Sequence, residues 1–448
     1  MRLWRKAKFY SQIFAHISRM AFIMTENLKP FVTVTLRGPQ DGGDFGPFTP
    51  GTRTSGLQEA VDYACRHRRD LIVYGQHDDD HDFFPGSIEE PNVKAYFLHE
   101  TLRIPCGQEF HIFAGGASIF YLPNHGDAMI INSQMNSNFD FGLIVGNTDG
   151  AVVRMKPTLE GPDRMCVITA SEFHFMGVVF DCFKNDDWRG SGLVLDSSDG
   201  SISNNRITCA EINNTHNLLY ISDNAGKGAG INNNSIDVRF GNLGHCNASC
   251  IGAKIGDPGS KYIKENDFDI RLFPPQNAHF DYELGRYVTD SKYTISAEAI
   301  GMLIHGQSNR FRVLRNNSFS PGTDIMFGPD ASYNTVELDG AFPCAVRNDS
   351  ILSNNRVTMP RIQTGSIIET PNFPVSGETY KNRSCYRLAV YILEAGDVSN
   401  YEITNPEAQT LRFSAPLHAG QMLLLDSGDS ISFTYAKQPV WQWRRIDD

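Results

Sequence analysis

Residues 233–240 read NNSIDVRF, and residues 265–272 read ENDFDIRL. Counted from Asn234 and Asn266, both stretches follow one pattern: Asn, any residue, apolar, Asp, apolar, Arg, apolar. Side chains of a β-strand alternate between its two faces, so the apolar residues of each stretch share one face and the Asp and Arg share the other. The repeat therefore predicts two strands that bury the same face and expose the same charged pair.

The Asn-x-apolar element of that pattern recurs along the chain. It occurs at Asn205/Ile207, Asn234/Ile236, Asn266/Phe268, Asn317/Phe319, Asn334/Val336 and Asn355/Val357. Asparagine tolerates the left-handed backbone of a tight turn, and stacked side-chain amides can hydrogen-bond to one another as a ladder. Because the steps between these asparagines range from 17 to 51 residues, the element predicts a solenoid whose coils carry loops of variable length.

The rest of the chain points to the same all-β class. From residue 96 to about residue 360 it consists of short apolar runs bounded by Asn, Gly, Asp and Ser, a pattern typical of strands. Residues 366–448 alternate with period two and lack the Asn element, which predicts a small antiparallel β-sandwich.

One helix is predicted, in TSGLQEAVDYACRHRRD at residues 54–70. Its apolar residues recur at helical spacing: Leu57, Ala60, Val61 and Ala64. Ser55 and Gln58 form the sequence pattern of a capping box at the start of this helix. LIVYG at residues 71–75 predicts a strand directly after it.

These features resemble the pectin-lyase-like superfamily of right-handed parallel β-helices, over about residues 50–360. The resemblance rests on TSGLQEAVDYACRHRRDLIVYG and on the repeated SNNRI, NNNSI, RNNSF and SNNRV. It implies a β-helix of about ten coils with an N-terminal capping helix. The predicted division is a poorly defined N-terminal extension (1–29), a parallel β-helix domain (30–362) and a C-terminal β-sandwich module (363–448).

Composition excludes some classes of function. The formal net charge of -11 argues against a nucleic-acid binder. The sequence contains no run of about 20 apolar residues, so no membrane-spanning helix is predicted. Nine cysteines without a CxxC pair indicate neither a zinc site nor a disulfide framework. The basic start of the chain lacks an uninterrupted apolar stretch and is no clear signal peptide, although the resemblance favours an extracellular or periplasmic protein.

The doubled charged pair is the main candidate site. Adjacent coils lie about 4.8 Å apart, so Asp237 is expected above Asp269 and Arg239 above Arg271. Two stacked carboxylates could supply a general acid, a retaining glycosidase pair or calcium ligands, and the arginines could bind sugar carboxylates or hydroxyls. The alternative is a surface lattice of ion pairs with no chemistry.

Two other segments supply further candidates, each of which has a plain structural alternative. They are the acidic stretch DCFKNDDW (residues 181–188) and an aromatic-rich insertion between coils (residues 273–293). Additional acids for catalysis are Asp187, Asp281 and Glu283. Additional residues for sugar binding are Trp188, Tyr282 and Tyr287, together with His245, which lies between the two segments. Aromatic rings stack on sugars, and function concentrates on such loops.

Two motifs are set aside. GNTDG (146–150) matches the N-T-D of polygalacturonase-like hydrolases, but their G-H-G and R-I-K are absent, so a turn is predicted there. HDDDHD (77–82) has metal-ligand side chains but no fixed spacing, and no metal site is expected from it.

The function expected from the sequence is a carbohydrate-active enzyme that cleaves or transglycosylates a poly- or oligosaccharide with paired carboxylates. A glycoside hydrolase or intramolecular glycosyl transferase is the first choice, and a polysaccharide lyase, which could need calcium, is the second. The rival is a non-catalytic, tailspike-like glycan-binding protein. No other cofactor is expected, and a homotrimer is compatible with the resemblance.

Overall fold

A computed structural model describes most of the chain, with only the backbone described for the hairpin at residues 278–281 and 286–289 and for Phe180, Asn213 and Arg315. The described residues are 30–75, 95–159, 166–180, 190–213, 217–240, 251–272, 278–281, 286–289, 300–315, 323–339, 346–352, 354–358, 370–414 and 416–446. Before residue 359, the described strands outside that hairpin form three parallel sheets, here called A, B and C.

Sheet A is the largest and has twelve strands. Its strands are Phe31–Val34, Asp70–Val73, Tyr96–Leu98, His111–Tyr121, Asn138–Gly146, Glu172–Phe180, Arg206–Asn213, Ser235–Phe240, Asp267–Leu272, Arg310–Arg315, Thr335–Asp339 and Arg356–Thr358.

Sheets B and C run beside it with nine and six strands. Sheet B consists of Leu102–Ile104, Met129–Ile131, Ala151–Met155, Ser191–Asp196, Asn217–Ser222, Ile251–Ile255, Ile300–Ile304, Thr323–Phe327 and Val346–Asn348. Sheet C consists of Gly107–Gln108, Gln134–Met135, Val167–Thr169, Ser201–Ser203, Ile231–Asn232 and Ile263–Lys264.

The chain visits the sheets in a fixed order, from B to C to A, in successive turns. One turn, for example, runs through Ala151–Met155, Val167–Thr169 and Glu172–Phe180, and each strand pairs in parallel with its counterpart one turn away. The nine strands of sheet B mark nine turns in the described residues, and the first six of these turns include a strand of sheet C. This architecture is consistent with the predicted parallel β-helix.

The interior of the stack is apolar, as the period-two pattern predicts. Ile236, Val238 and Phe240 point inward and are at most 1% exposed, while the residues between them are exposed. Rings stack from turn to turn, as between Phe268 and Phe311, whose centroids are 4.7 Å apart. Burial of these columns drives the coiling, because each turn covers the apolar face of the one before.

A buried ladder of hydrogen-bonded asparagines confirms the predicted role of the repeated Asn-x-apolar element. Its members are Asn205, Asn234, Asn266, Asn309, Asn334 and Asn355. Each side-chain amide donates to the Oδ1 atom of the next asparagine at 2.9–3.3 Å. The same Oδ1 atom also accepts the backbone N–H of the preceding asparagine of the ladder. Five of these positions match the predicted ladder.

The predicted ladder position Asn317 is wrong, because Asn309 occupies it. The backbone N–H of Asn266 donates to Oδ1 of Asn309 at 3.1 Å, and Asn317 lies outside the described residues. Toward the N-terminus, serines replace asparagines: Ser171 N–H donates to Asn205, and Ser137 N–H donates to the Ser171 hydroxyl. The serine hydroxyl, although smaller than an amide, still supplies the hydrogen-bond acceptor at its ladder position.

The predicted helix is α1 (Leu57–His67), preceded by a short 3-10 helix at Gly38–Asp41. It packs against the first strands of sheets A and B with the predicted apolar residues buried. The capping box is wrong. The Thr54 hydroxyl accepts the N–H of Gln58 at 3.0 Å, whereas Ser55 bonds to the backbone of Phe97.

Two antiparallel sheets form the C-terminal part. One contains Thr379–Lys381, Asp397–Thr404, Thr410–Phe413 and Ser430–Lys437, and the other contains Arg387–Glu394, Met422–Leu425 and Val440–Ile446. They share a core that includes Val390, Phe433 and Trp441, which supports the predicted sandwich. The predicted boundary at residue 363 lies outside the described residues.

This part contacts the last turn of the parallel stack. The N–H of Val357 donates to the carbonyl of Cys385 at 3.0 Å, and Nζ of Lys381 donates to the carbonyls of Ile351 and Leu352, each at 3.1 Å. These bonds satisfy backbone groups that an open end would leave unpaired. Among the described residues, no helix is long and apolar enough to cross a membrane.

Candidate functional site

The predicted charged pairs are in register on the outer face of sheet A. Asp237 lies opposite Asp269, and Arg239 lies opposite Arg271, on neighbouring parallel strands. All four point away from the buried column. The structure thus brings the predicted two-by-two arrangement together.

Asp269 already has a partner, which the sequence did not reveal. Its Oδ2 lies 3.6 Å from Nη1 of Arg312, which occupies the same position on the next strand. The Asp269 and Arg312 side chains are 42% and 65% exposed. An ion pair this open contributes little to stability, but it occupies the Asp269 carboxylate.

A groove of about 430 Å³ lies on the same face, on the other side of Asp237. It is lined by Asn138, Glu172, Phe173, His174, Arg206, Thr208, Cys209, Ala210, Asp237 and Arg239. Asp269 and Arg271 are not among these residues. We call this feature the sheet A groove.

The shape of the groove follows from its three central strands. Thr208 and Ala210 are small and form its floor, while the flanking strands supply larger side chains on both sides. The strand pairing is irregular between Cys209 and Ile212, where the floor strand carries one extra residue opposite its neighbour. Bulges of this kind redirect side chains and are common beside functional sites.

Four charged side chains line the groove and are not paired with one another. Glu172 and Arg206 lie toward one end, and Asp237 and Arg239 toward the other. None of the four has a side-chain ion pair or hydrogen bond with another residue that the structure describes. Two carboxylates and two guanidiniums are therefore available to a ligand.

Two further side chains, His174 and Cys209, complete the floor. Nδ1 of His174 lies 2.7 Å from the Thr208 hydroxyl, which fixes the imidazole against the floor strand. The Cys209 thiol beneath it is fully buried, and burial raises its pKa to about 12. Because the thiolate is the nucleophilic form, Cys209 fills space here and does not act as a nucleophile.

The ladder contains a signal that finds the missed residues of the groove. Thr208 follows Asn205 by three positions, as Asp237 follows Asn234. Counting three positions from the ladder serine Ser171 gives His174. The residues that directly follow the ladder positions form a second column across the sheet, which contains Glu172, Arg206 and Ser235. This alignment uses the ladder and not the Asp-x-Arg pair.

The structure does not place the side chains of the remaining predicted site residues. Asp281 and Tyr287 belong to an antiparallel hairpin formed by Ala278–Asp281 and Arg286–Thr289, of which only the backbone is described. The other predicted residues lie outside the described residues, as does the HDDDHD stretch: Asp187, Trp188, His245, Tyr282 and Glu283.

A second set of charged residues lies on the outer face of sheet B. Arg154 donates to Asp127 at 2.8 Å and to Asp196 at 3.3 Å, and Lys156 lies 3.1 Å from Asp199. Burial acts to lower the pKa of Arg154, but the hydrogen bonds and charges of Asp127 and Asp196 together outweigh burial and raise it. This network is closed, because its cations and carboxylates already satisfy each other.

A similar closed network surrounds Asp257, farther along sheet B. Its carboxylate accepts bonds from Lys254 at 2.7 Å, Tyr220 at 2.7 Å and Ser222 at 3.2 Å. Burial acts to raise the pKa of Asp257, but the bonds from Lys254 and Tyr220 outweigh it and hold that pKa below its usual value. Burial also raises the pKa of Tyr220 to about 12, so its hydroxyl remains a donor.

The sequence comparisons do not name a relative. The chain matches no protein-family model, and no curated protein matches its sequence. Within the described residues, no group of three or more His, Cys, Asp or Glu side chains is arranged to hold a metal ion.

Proposed function

We propose that this chain is a carbohydrate-active enzyme of the right-handed parallel β-helix class that cleaves a poly- or oligosaccharide in the sheet A groove. One observation carries the proposal: an open groove on a rigid sheet presents two carboxylates and two guanidiniums that no described residue pairs. Unpaired charges of both signs, fixed at known positions, are suited to binding and chemistry on a polar ligand.

The chemistry of the groove suits a sugar chain. Sugar hydroxyls can donate to the carboxylates of Glu172 and Asp237 and accept from the guanidiniums of Arg206 and Arg239. The two signs balance, which favours an uncharged glycan over a polyuronate. From Asn138 to Arg239 the groove crosses three strand spacings and four residues along a strand, about 20 Å, which is longer than one sugar ring.

Asp237 is the proposed acid of the cleavage step. It lies in the groove, lacks an ion pair with any described residue and has Arg239 two positions along the same strand. A positioned carboxyl group that protonates the leaving oxygen accelerates glycoside cleavage by about 10²- to 10⁴-fold. Arg239 would orient the neighbouring hydroxyl groups.

The test is a panel of neutral and acidic polysaccharides incubated with the purified chain. We expect new reducing ends from a neutral glycan and their loss in Asp237→Asn. Glu337→Gln is the matched control, because Glu337 lies on the same sheet outside the groove. Ultraviolet-absorbing unsaturated products would instead identify a lyase. No product from any glycan would contradict the proposal.

The Asp269–Arg312 pair favours one alternative function. Charges of both signs on an open face also suit a non-catalytic, tailspike-like glycan binder. The surface of such a protein would carry exposed ion pairs of the same kind as Asp269–Arg312. Such a protein would bind a glycan without shortening it, and Asp237→Asn would retain the binding. A glycan array read alongside the cleavage assay separates the two functions.

A further inference from the structure

We infer that Glu172, and not Asp269, is the second carboxylate that acts with Asp237, and that the chain therefore cleaves with inversion at the anomeric carbon. This inference rests on the proposed function, because it assigns a role within the same groove. It differs from the pairing that the sequence repeat suggests.

The register of sheet A separates the two candidate partners clearly. Asp269 is one strand from Asp237 at the same position, so their Cα atoms are about 5 Å apart. Glu172 is two strands from Asp237 in the other direction and two residues earlier along the strand. Its Cα atom is thus about 12 Å from that of Asp237, a gap that the longer Glu172 side chain can narrow.

These separations correspond to different reactions. Retaining glycosidases hold their carboxyl groups about 5–5.5 Å apart, and inverting ones about 6.5–9.5 Å apart to leave room for a water molecule. On the strand between Glu172 and Asp237, the outward side chains are Arg206, which lies opposite Glu172, and Thr208, which lies opposite Asp237. Because Thr208 is small, the space beside Asp237 can hold the sugar and the attacking water, and the Arg206 guanidinium can bind the sugar on the side of Glu172.

The electrostatic environment also selects Glu172. Both Glu172 and Asp237 line the groove and lack ion pairs with described residues, whereas Asp269 lies beyond the groove and is paired with Arg312. The pair holds Oδ2 of Asp269 toward Arg312, on the side away from the groove. No described residue holds the Glu172 carboxylate in this way.

The chemical step balances with water as the only co-reactant. The protonated carboxyl of one residue gives its proton to the glycosidic oxygen as the bond from that oxygen to the anomeric carbon breaks. The carboxylate of the other residue takes a proton from water, whose oxygen forms the new bond on the opposite face of the sugar. The products are a free alcohol and a hemiacetal of inverted configuration.

The experiment combines product stereochemistry with three variants, on a glycan that the wild type cleaves. Proton NMR of the first products reports the anomer before mutarotation. Glu172→Gln, Asp237→Asn and Asp269→Asn are compared by turnover, and circular dichroism shows whether each variant is folded. We expect inversion, a loss of at least about 100-fold in Glu172→Gln and in Asp237→Asn, and near wild-type turnover in Asp269→Asn.

The outcomes distinguish this inference from the proposed function. Retention of configuration, or a folded Glu172→Gln within a few-fold of wild type, overturns the assignment of Glu172 while cleavage itself stands. Loss of turnover in Asp269→Asn together with retention would restore the pair suggested by the repeat. A wild type that cleaves nothing removes both proposals.

Discussion

The outer faces of sheets A and B have the same kind of sequence but different electrostatics. On sheet B, the side chains of Arg154, Asp127 and Asp196 are only 24%, 15% and 16% exposed, and both carboxylates lie within 3.3 Å of the Arg154 guanidinium. On sheet A, the comparable pair of Asp269 and Arg312 is 42% and 65% exposed and 3.6 Å apart, and the charges in the groove have no partners among described residues.

The difference teaches that charge alternation alone does not reveal the role of a strand. On sheet B, half-buried charges are satisfied within the protein, so they hold neighbouring coils together. On sheet A, exposed charges contribute little to folding and are free to bind. Stability and function are therefore expected to separate between the two faces, and four predictions test this separation.

The largest effect is expected from Asp237→Asn on sheet A. Turnover should fall by at least about 100-fold, because the variant cannot donate or accept the transferred proton. Its thermal unfolding should match that of wild type, since the Asp237 side chain is exposed and has no described partner. A large drop in melting temperature would show that Asp237 serves the fold instead.

Asp257→Asn on sheet B should show the opposite behaviour. It weakens the charge-assisted bonds from Lys254, Tyr220 and Ser222, so the free energy of unfolding should drop by about 2 kcal/mol. Urea denaturation measures this loss, and turnover of the folded variant should remain at the wild-type level. The comparison fails if Asp257→Asn loses activity without losing stability.

A smaller, pH-dependent effect is expected at His305, which follows strand Ile300–Ile304 of sheet B. Burial lowers the pKa of His305, against the opposing influence of Asp330 and Asp257, while Lys254 lowers it further. The unfolded chain then takes up the proton first, so stability is full above about pH 6.5 and is lost as the pH falls through the folded pKa. As the pH is lowered below about 6.5, the melting temperature should fall less steeply in His305→Gln than in wild type. Equal slopes in the two proteins would contradict the assignment of a buried, neutral imidazole to His305.

The smallest effect is expected from Arg312→Gln on sheet A. Removing this exposed partner of Asp269 should change the free energy of unfolding by less than about 0.5 kcal/mol, and added salt should reduce even that difference. Denaturation at low and high ionic strength is the measurement. A loss above about 1 kcal/mol would mean that the ion pairs of sheet A carry stability as those of sheet B do.

Much of the fold could be predicted because its signals are local. An asparagine two residues before an inward apolar residue marks the same turn in six successive coils from Asn205 onward. Period-two alternation assigns the faces of Ser235–Phe240 and Asp267–Leu272. Asn309 was missed although Phe311 completes the same Asn-x-apolar element after it, and its step of 43 residues from Asn266 lies within the range of the predicted steps. With coils of such variable length, spacing alone cannot choose between two candidate asparagines.

The site was harder to predict because its residues come from separate coils. Asp237 was found through the repeat, but its neighbours across the groove depend on how coils of unequal length align. The bulge after Cys209 and the small floor residues shape the groove, and neither has a distinctive sequence signature. The pairing of Asp269 with Arg312 likewise follows from register, which an Asp-x-Arg repeat does not predict.

The central claim, that a glycan is cleaved in the sheet A groove, is tested most directly by filling the groove. In Ala210→Trp, an indole would occupy the floor without altering any charged residue, and Thr335→Trp places the same ring on the same face outside the groove. Release of reducing ends by the two folded variants is the measurement. The account predicts that Ala210→Trp is inactive and Thr335→Trp active; cleavage by Ala210→Trp at the wild-type rate would place the chemistry elsewhere on the molecule.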